Sequence, residues 1–247
     1  MRLTIVGCGD AFGSGGRLNT CYHIADSDGA ALIDCGASST IGLNRAGLDF
    51  NAIETVMLSH LHGDHFAGLV FFLIHAQHIA RRTAPLTVVG PPGTEARFVG
   101  ATEALFPGSS TTPRRHALDF VEIHAGEPLA VGPQSITAFE VDHPSGAPSH
   151  ALRIARGGRT LAFSGDTGWV DTLIPCADGT DLFLVECYEY ERDVRYHMNW
   201  RTLSEKIASL RARRIMLTHM SAPMLAAREQ ISDPRISFAE DGAVVDL

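Results

Sequence analysis

The stretch Leu58-Ser-His-Leu-His-Gly-Asp-His-Phe66 decides how the rest of the chain is interpreted. Four potential metal-ligating side chains lie within the six residues from His60 to His65, directly after an apolar run that ends at Leu58. One histidine at such a place is typical of a polar surface turn. The H-x-H-x-D-H spacing at a predicted strand-to-helix junction instead indicates a metal site, because imidazole and carboxylate are common ligands of zinc, and of manganese or iron in harder sites.

The four side chains form two pairs on either side of Gly63. In an extended segment, side chains two residues apart face the same way, so His60 and His62 can bind one ion together. Asp64 and His65 begin the predicted helix and can turn toward a second position. Asp64 also suits a helix N-terminus, where we expect its carboxylate to accept backbone N–H bonds.

Composition limits the classes of protein that the chain can belong to. With 247 residues, 45% of them hydrophobic, it is predicted to form one compact domain over residues 1–247. The formal net charge of −8 argues against strong binding of duplex nucleic acid. It does not exclude a small anionic substrate, because bound metal ions reverse the local potential. A homodimer remains open.

Cysteine usage and the N-terminus predict a cytoplasmic protein. The five cysteines are odd in number and contain no C-x-x-C pair, which is typical of reduced, buried thiols. Residues 1–6 run straight into a strand pattern without signal-peptide organisation. No apolar run approaches the roughly 20 residues of a membrane span, so we expect no membrane partner.

The order of predicted elements favours a layered α/β fold. Short β-rich runs come first, strands and helices mix in the middle, and strand–helix alternation follows near the end, where Arg235–Ala239 and Ala243–Asp246 are predicted as a final strand pair. Long helical patterns include Asp64–Ala80 and Thr202–Ala212. This order suits two mixed sheets packed face to face with helices outside, better than a doubly wound sheet.

Further candidate ligands follow other predicted strands. His143 comes after Ser135–Val141, Asp166 after Thr160–Phe163 and His219 after Ile215–Leu217. A rigid sheet positions side chains at strand ends accurately. Asp34, in Leu-Ile-Asp-Cys-Gly, repeats this arrangement near the N-terminus. Two ions need more ligands than the first stretch supplies, and these residues are suitable.

This series of motifs resembles that of the metallo-β-lactamase superfamily over nearly the whole chain. The resemblance implies an αββα sandwich and a site for two divalent metal ions, predicted to be zinc, with manganese or iron as alternatives. It implies that Asp34 orients a ligand histidine through a hydrogen bond and that Asp166 bridges the ions. One ion would be bound by His60, His62 and His143, and the other by Asp64, His65 and His219.

Details resemble the ribonuclease Z-like, phosphodiesterase-like branch of that superfamily, without its transfer-RNA-binding arm. Gly-Arg17-Leu-Asn19 is similar to an Arg-Asn loop of that branch, and Glu186 and His197 match residues that flank its site. Val185 stands where the branch has a further histidine. Short arginine clusters do not form a continuous basic track, so a small phosphodiester is preferred to transfer RNA.

The resemblance predicts a metal-dependent hydrolase that uses a metal-bridging hydroxide, with a small or cyclic phosphodiester as the preferred substrate. Asp64 or Asp166 would orient the nucleophile and accept its proton, and His197 would protonate the leaving oxygen or stabilise charge. Glu186 is a further candidate catalytic residue. The same ligands serve a carboxylic ester, thioester or lactone hydrolase. A metal-bound sensing or interaction module without catalysis is the third alternative.

Overall fold

The computed structural model describes residues 1–247, which form fourteen strands and seven α-helices. The strands are β1 (Arg2–Gly7), β2 (Cys21–Asp26), β3 (Gly29–Ile33), β4 (Ile53–Met57), β5 (Leu86–Gly90), β6 (Leu118–Glu122), β7 (Pro128–Val131), β8 (Gln134–Glu140), β9 (His150–Arg156), β10 (Arg159–Phe163), β11 (Leu182–Glu186), β12 (Ile215–Thr218), β13 (Ile236–Phe238) and β14 (Val244–Asp246). The helices are α1 (Ser39–Arg45), α2 (Gly63–Phe66), α3 (Gly68–His78), α4 (Thr94–Leu105), α5 (Leu173–Ala177), α6 (Trp200–Lys206) and α7 (Ala222–Ala227).

The strands form two seven-stranded sheets of the same mixed design. The first sheet has the order β14-β1-β2-β3-β4-β5-β6, and the second has β13-β12-β11-β10-β9-β8-β7. In the first sheet β3 to β6 run parallel, and in the second β10 to β13 do. The remaining neighbours in each sheet pair antiparallel. Because parallel strands end at the same edge of a sheet, the loops that follow them lie together at one edge of each sheet.

Three apolar clusters separate four layers. The central cluster of 20 buried residues packs the sheets face to face, with Tyr22 edge-on to Phe163 at 5.2 Å between ring centroids. A second cluster covers the outer face of the first sheet with side chains of α1 to α4, and a third covers the second sheet with side chains of α5 to α7. Inner strands are therefore buried on both faces, which explains their continuous apolar runs. This arrangement confirms the predicted αββα sandwich.

A buried arginine links the sheets at the edge away from the parallel-strand ends. Arg156, at the end of β9, donates two hydrogen bonds to Asp26 at 2.8 and 2.9 Å and one to the Gly29 carbonyl oxygen at 2.7 Å. It also donates to Gln134 at 2.8 Å, and Gln134 in turn donates to Thr55 at 2.9 Å. The guanidinium is thus satisfied by groups from both sheets.

The structure differs from the sequence predictions in four places. The predicted helix Thr202–Ala212 is shorter at its end, because α6 ends at Lys206 and the chain continues as a 3₁₀ turn over Ile207–Ser209. The predicted final strand pair does not pair, because β13 joins β12 in the second sheet and β14 joins β1 in the first. The predicted helix Asp64–Ala80 is interrupted between α2 and α3 at Ala67. Asp64 does not cap its helix, since the N-cap residue is His62 and no side-chain cap bond forms there.

All five cysteines are buried and unpaired, as predicted. None of the helices combines the length and apolarity that crossing a bilayer demands.

Candidate metal centre

The predicted ligand residues converge where strands of both sheets end. From the first sheet, the H-x-H-x-D-H loop follows β4, beside Asp34 at the end of β3. From the second, His143 follows β8, Asp166 follows β10 and His219 follows β12. The groups that the sequence separates widely therefore meet at one shared edge of the sandwich.

Close backbone packing fixes the H-x-H-x-D-H loop. A methyl group at Gly36 would lie 2.1 Å from the Asp64 carbonyl oxygen, so only glycine fits where the turn after β3 approaches this loop. The Cys35 amide donates to the His65 carbonyl oxygen at 2.7 Å in the same place. The loop is consequently anchored before any ligand binds.

The first group consists of His60, His62 and His143, whose nitrogen atoms lie within 4.8 Å of one another. Nδ1 of His62 and Nε2 of His143 are 2.9 Å apart. Nδ1 of His143 must donate to the Tyr196 carbonyl oxygen at 3.1 Å, since that oxygen can only accept. In the neutral ring, Nε2 of His143 therefore carries the lone pair that a metal ion requires.

The second group consists of Asp64, His65, Asp166 and His219, again within 4.8 Å. Oδ2 of Asp64 lies 3.1 Å from Nε2 of His219 and 3.4 Å from Nε2 of His65. Asp64 thus faces the neighbouring imidazoles instead of the helix backbone. Two carboxylates and two imidazoles form a suitable donor set for a divalent transition metal.

Asp166 lies between the two groups. Its Oδ1 is 3.1 Å from Nε2 of His65, and its Oδ2 is 3.4 Å from Nε2 of His219. Oδ2 is also 4.0 Å from Nε2 of both His60 and His143. One carboxylate therefore reaches toward histidines of both groups, which suits the bridging role that the family resemblance implies for Asp166.

Asp34 orients histidines of both groups from beneath. It is fully buried, and it accepts hydrogen bonds from Nδ1 of His65 at 2.6 Å and from the backbone N–H and Oγ–H of Ser59 at 2.7 and 2.8 Å. Since the Ser59 hydroxyl hydrogen points to Asp34, its oxygen accepts from Nδ1 of His60 at 3.0 Å. One carboxylate thus fixes His65 directly and His60 through Ser59, and in both neutral rings Nε2 carries the lone pair.

Two residues of the centre have backbone conformations in the left-handed region. Asp34 and His219 both have φ of 56°. Such a conformation costs a residue other than glycine about 1–3 kcal/mol and persists where the surrounding structure imposes it. For His219, the backbone N–H donates to the Cys8 carbonyl oxygen at 3.0 Å, which ties the loop after β12 to the first sheet.

The electrostatics of the ligand side chains fit bound cations. Burial alone would raise the pKa of Asp64 and of Asp166, but His65 and His219 outweigh burial and hold both below their ordinary range. Burial would lower the pKa of His219, and Asp166 and its other acidic neighbours instead raise it to about 10. Burial dominates for His60 and lowers its pKa. The imidazoles thus balance the negative charge of the carboxylates at the place where bound cations would balance it.

Several ligand atoms have no hydrogen-bond partner although they are buried. They include Nε2 of His60, Nε2 of His65 and Oδ1 of Asp166, the last two being 3.1 Å apart without the alignment of a hydrogen bond. Buried polar atoms without partners are costly and rare. These lone pairs are aimed into a common space, so the residues fit a metal centre.

His197 flanks the second group and is held by Glu186. The fully buried Glu186 carboxylate accepts from Nδ1 of His197 and from the backbone N–H of Thr167 at 2.7 Å, and Nδ1 of His219 lies 3.4 Å from it. The His197 ring stacks parallel to that of His219, 6.0 Å away. Burial lowers the pKa of His197, but the Glu186 hydrogen bond and charge outweigh it and raise that pKa.

A cavity of about 330 Å³ opens onto these groups. His197 lines it, whereas Glu186 lies behind His197, and Arg17 and Asn19 of the N-terminal loop face elsewhere. Arg17 instead forms an ion pair with Glu240 at 2.6 Å. The residues that line the cavity are Ala11, Phe12, His62, Asp64, His143, Asp166, Tyr188, Val194, Arg195, His197 and His219.

Sequence reasoning did not assign roles to four residues of this site. Ser59 and Tyr196 orient ligand histidines, and Phe12 and Arg195 line the cavity. Ser59 directly precedes the H-x-H-x-D-H motif, so its position beside His60 was available as a signal. The Tyr196 contact uses a backbone carbonyl oxygen, which gives no signal in the side-chain pattern.

Comparison with known proteins agrees with the fold. The family model of the beta-lactamase superfamily domain matches residues 31–220, and the chain belongs to this superfamily. With its two mixed sheets and its site at their shared edge, it is a metal-dependent hydrolase of the metallo-β-lactamase fold.

The chain is similar to several named proteins over most of its length. A ribonuclease Z from Mycobacterium bovis is 30% identical over 196 residues, which cover 73% of this chain and 68% of that protein. The probable metallo-hydrolase YhfI of Bacillus subtilis is 25% identical over 226 residues, covering 89% and 87%. The crystal structure of YhfI superposes with a TM-score of 0.77 at 23% identity, over 99% of this chain and 98% of that chain. A diphosphatase from the PhnP family gives a TM-score of 0.80 at 18% identity, over 100% and 97%.

Proposed function

We propose that this chain hydrolyses small phosphodiesters, cyclic ones included, with two divalent metal ions. The observation that carries the proposal is the position of Asp166, whose oxygens lie 3.1 to 4.0 Å from histidine nitrogens of both groups. A shared carboxylate at this place suits a pair of ions that acts on a phosphoryl group. Relatives named ribonuclease Z support phosphodiester chemistry.

The two groups would hold one ion each. His60, His62 and His143 supply three imidazole donors, and Asp64, His65 and His219 supply a mixed set, with Asp166 common to both. Imidazole-rich sites of this kind favour zinc, and the carboxylates also accept manganese or iron. When bound, the ions would lower the pKa of a coordinated water and offset charge on the phosphoryl oxygens.

The side chains around the ions would complete the reaction. Asp64 and Asp166 carry carboxylate oxygens that can orient the attacking water and accept its proton. Nε2 of His197 makes no hydrogen bond within the protein, and its Nδ1 is occupied by Glu186. With Nδ1 donating to Glu186, Nε2 carries a proton only when the ring is an imidazolium, the form that Glu186 favours by raising the pKa of His197. In that form His197 can give the Nε2 proton to the leaving oxygen, a contribution of about 10²–10⁴-fold in rate. Glu186 acts through His197 as a positioning residue.

Surface charge supports a small substrate over a structured RNA. In the arginine cluster that ends the α6 region, Arg211 pairs with Asp178 and Arg213 with Asp181. Paired arginines offer few free charges to a phosphate backbone, whose binding depends on releasing counterions. A cavity of about 330 Å³ is suited to a small phosphodiester.

The test is turnover by purified protein loaded with zinc or manganese. The substrates are bis(p-nitrophenyl) phosphate and nucleoside 2′,3′-cyclic phosphates, with a thioester, a lactone and a carboxylic ester in parallel. We expect phosphodiester cleavage, and we expect Asp166→Ala to abolish it. Asp119→Ala makes the same change at an exposed position of β6 and should retain full activity.

The substrate panel separates the alternatives. Cleavage of acyl substrates alone would replace the proposal with an ester, thioester or lactone hydrolase on the same ligands. If metal-loaded protein cleaves nothing in the panel, a metal-bound sensing or interaction module becomes the better interpretation.

A further inference from the structure

Phe12 is a large aromatic residue that is exposed at the mouth of the catalytic cavity. The residue is 83% exposed, more than any other large hydrophobic residue of the chain, and it lines the cavity that contains His197 and Asp166. Such a ring contributes nothing to the core. An exposed aromatic ring beside a catalytic centre is well suited to contact a ligand, because it is rigid and loses little entropy on binding.

The turn that carries Phe12 is rigidly built. Asp10 is buried, and its carboxylate accepts from the backbone N–H of Phe12 at 3.2 Å and from the backbone N–H of Ser14 at 2.8 Å. The Ser14 hydroxyl donates to the same carboxylate at 2.6 Å. The side-chain amide of Asn19 donates to the Asp10 carbonyl oxygen at 3.0 Å. Phe12 is therefore held at the cavity mouth by the protein and is not an untethered loop tip.

A second loop brings an unpaired cation to the same cavity. Arg195 lines the cavity, and its guanidinium lies 4.5 Å over the Tyr196 ring. Its neighbours along the chain are neutralised, since Arg192 pairs with Glu189 at 2.6 Å and Arg201 pairs with Asp193 at 2.8 Å. Arg195 has no carboxylate within ion-pairing distance, so its charge is available to an anionic ligand.

We infer that Phe12 determines substrate specificity by stacking on a planar aromatic ring, so that the substrate is a phosphodiester that carries a nucleobase. This inference rests on the proposed function and adds the organic group to it. The phosphodiester occupies the metal centre, the base stacks on Phe12, and Arg195 contributes positive charge for the anionic substrate. Base–aromatic stacking is sequence-tolerant because every base has a π-face. The contact therefore favours substrates that carry a base over those that do not, without discriminating among the bases.

The experiment compares two substrates that share a reacting group. Cytidine 2′,3′-cyclic phosphate and glycerol 1,2-cyclic phosphate both contain a five-membered cyclic phosphodiester, and only the first carries a base. We expect wild-type protein to favour the cytidine substrate in kcat/KM. In Phe12→Ala the ratio of the two kcat/KM values should fall at least about fivefold, the lower end of what stacking on one base contributes, and the loss should lie in KM.

Three variants control the result. Phe12→Trp retains a stacking surface and should retain the ratio, whereas Phe12→Leu retains apolar bulk without a flat ring and should lose it. Phe71→Ala removes another exposed aromatic side chain, which lies on α3 outside the cavity, and should leave the ratio as in the wild type.

The outcomes distinguish the inference from the proposed function. If the wild type cleaves no phosphodiester, both the proposed function and the inference that rests on it are wrong. If it cleaves bis(p-nitrophenyl) phosphate but neither cyclic substrate, or if Phe12→Ala leaves the ratio unchanged, the inference is overturned and the phosphodiesterase proposal stands.

Discussion

Replacing Asp34 by asparagine tests whether one carboxylate beneath the site controls metal affinity. Asparagine has almost the same size, and it tolerates the left-handed conformation that Asp34 adopts at φ 56°. The substitution therefore leaves the backbone alone and changes the acceptor. The carboxylate accepts three hydrogen bonds, from Nδ1 of His65 and from the N–H and hydroxyl of Ser59. The amide offers one acceptor oxygen, and its NH₂ group faces at least one of these donors.

The magnitude follows from the bonds that are lost. A hydrogen bond to a charged group contributes about 1.5–3 kcal/mol, and the substitution removes the charge together with at least one good contact. Changing such an outer partner of a ligand histidine typically costs about 10–100-fold in metal affinity, which is roughly 1.4–2.7 kcal/mol. The group that contains His65 should lose more than the group that contains His60, because Asp34 contacts His65 directly and His60 only through Ser59.

The assay is a competition titration of zinc between the protein and a chromogenic chelator, which resolves a tight and a weak site. Circular dichroism checks that the variant is folded. Asp49→Asn serves as the matched control, because exposed Asp49 accepts a single backbone hydrogen bond from Asn51, outside the metal centre. A folded Asp34→Asn protein that binds both ions as tightly as the wild type would refute the role that we assign to Asp34.

Two further predictions concern the leaving group and the far edge of the sandwich. His197→Gln should lower kcat by about 10²–10⁴-fold for substrates with an alkoxide leaving group. The loss should be much smaller for p-nitrophenolate, because this leaving group needs no proton, and equal losses would contradict proton donation. His78→Gln makes the same change at an exposed position and is the control. Arg156→Met should lower the free energy of unfolding by about 3 kcal/mol, the lower end for a broken buried pair, because Asp26 remains 14% exposed. Arg156 holds the pKa of Asp26 below its ordinary value of 3.8, so the pair stabilises the fold above that pH and loses this effect as the pH falls. Urea unfolding should therefore show a smaller gap between variant and wild type just below pH 3.8 than at neutral pH, and a constant gap would be contrary evidence.

Local sequence patterns were sufficient to predict the layers of the fold and the candidate ligand residues. Strand runs such as the one before His60 are short and apolar because both faces of each sheet are covered, and ligands recur where such strands end. The αββα sandwich is confirmed on this basis. The ligand roles of His60, Asp166 and the others stay predictions, although the structure brings these side chains together.

The sequence pattern could not predict which distant strands pair with each other. The segments Ile236–Phe238 and Val244–Asp246 lie close together in the chain and read as a hairpin, yet they complete different sheets. Each has only three residues, too few for an alternating pattern to identify its partner strand. The exposure of Phe12 could not be predicted from the sequence either, because it depends on the turn that the Asp10 hydrogen bonds hold in place and on where the cavity lies.

The metal centre is best understood as a property of the contact between the sheets. His62 faces His143, and Asp64 faces His219, each pair joining the first sheet to the second at 2.9 and 3.1 Å. These distances depend on the separation of the sheets, which the central apolar cluster sets and the Arg156 network fixes at the opposite edge. A close-packed core resists compression and shear, so the spacing of the donors is built into the fold. This explains why the ligands are spread along the chain: only residues from both sheets can hold two ions at the place where the sheets meet.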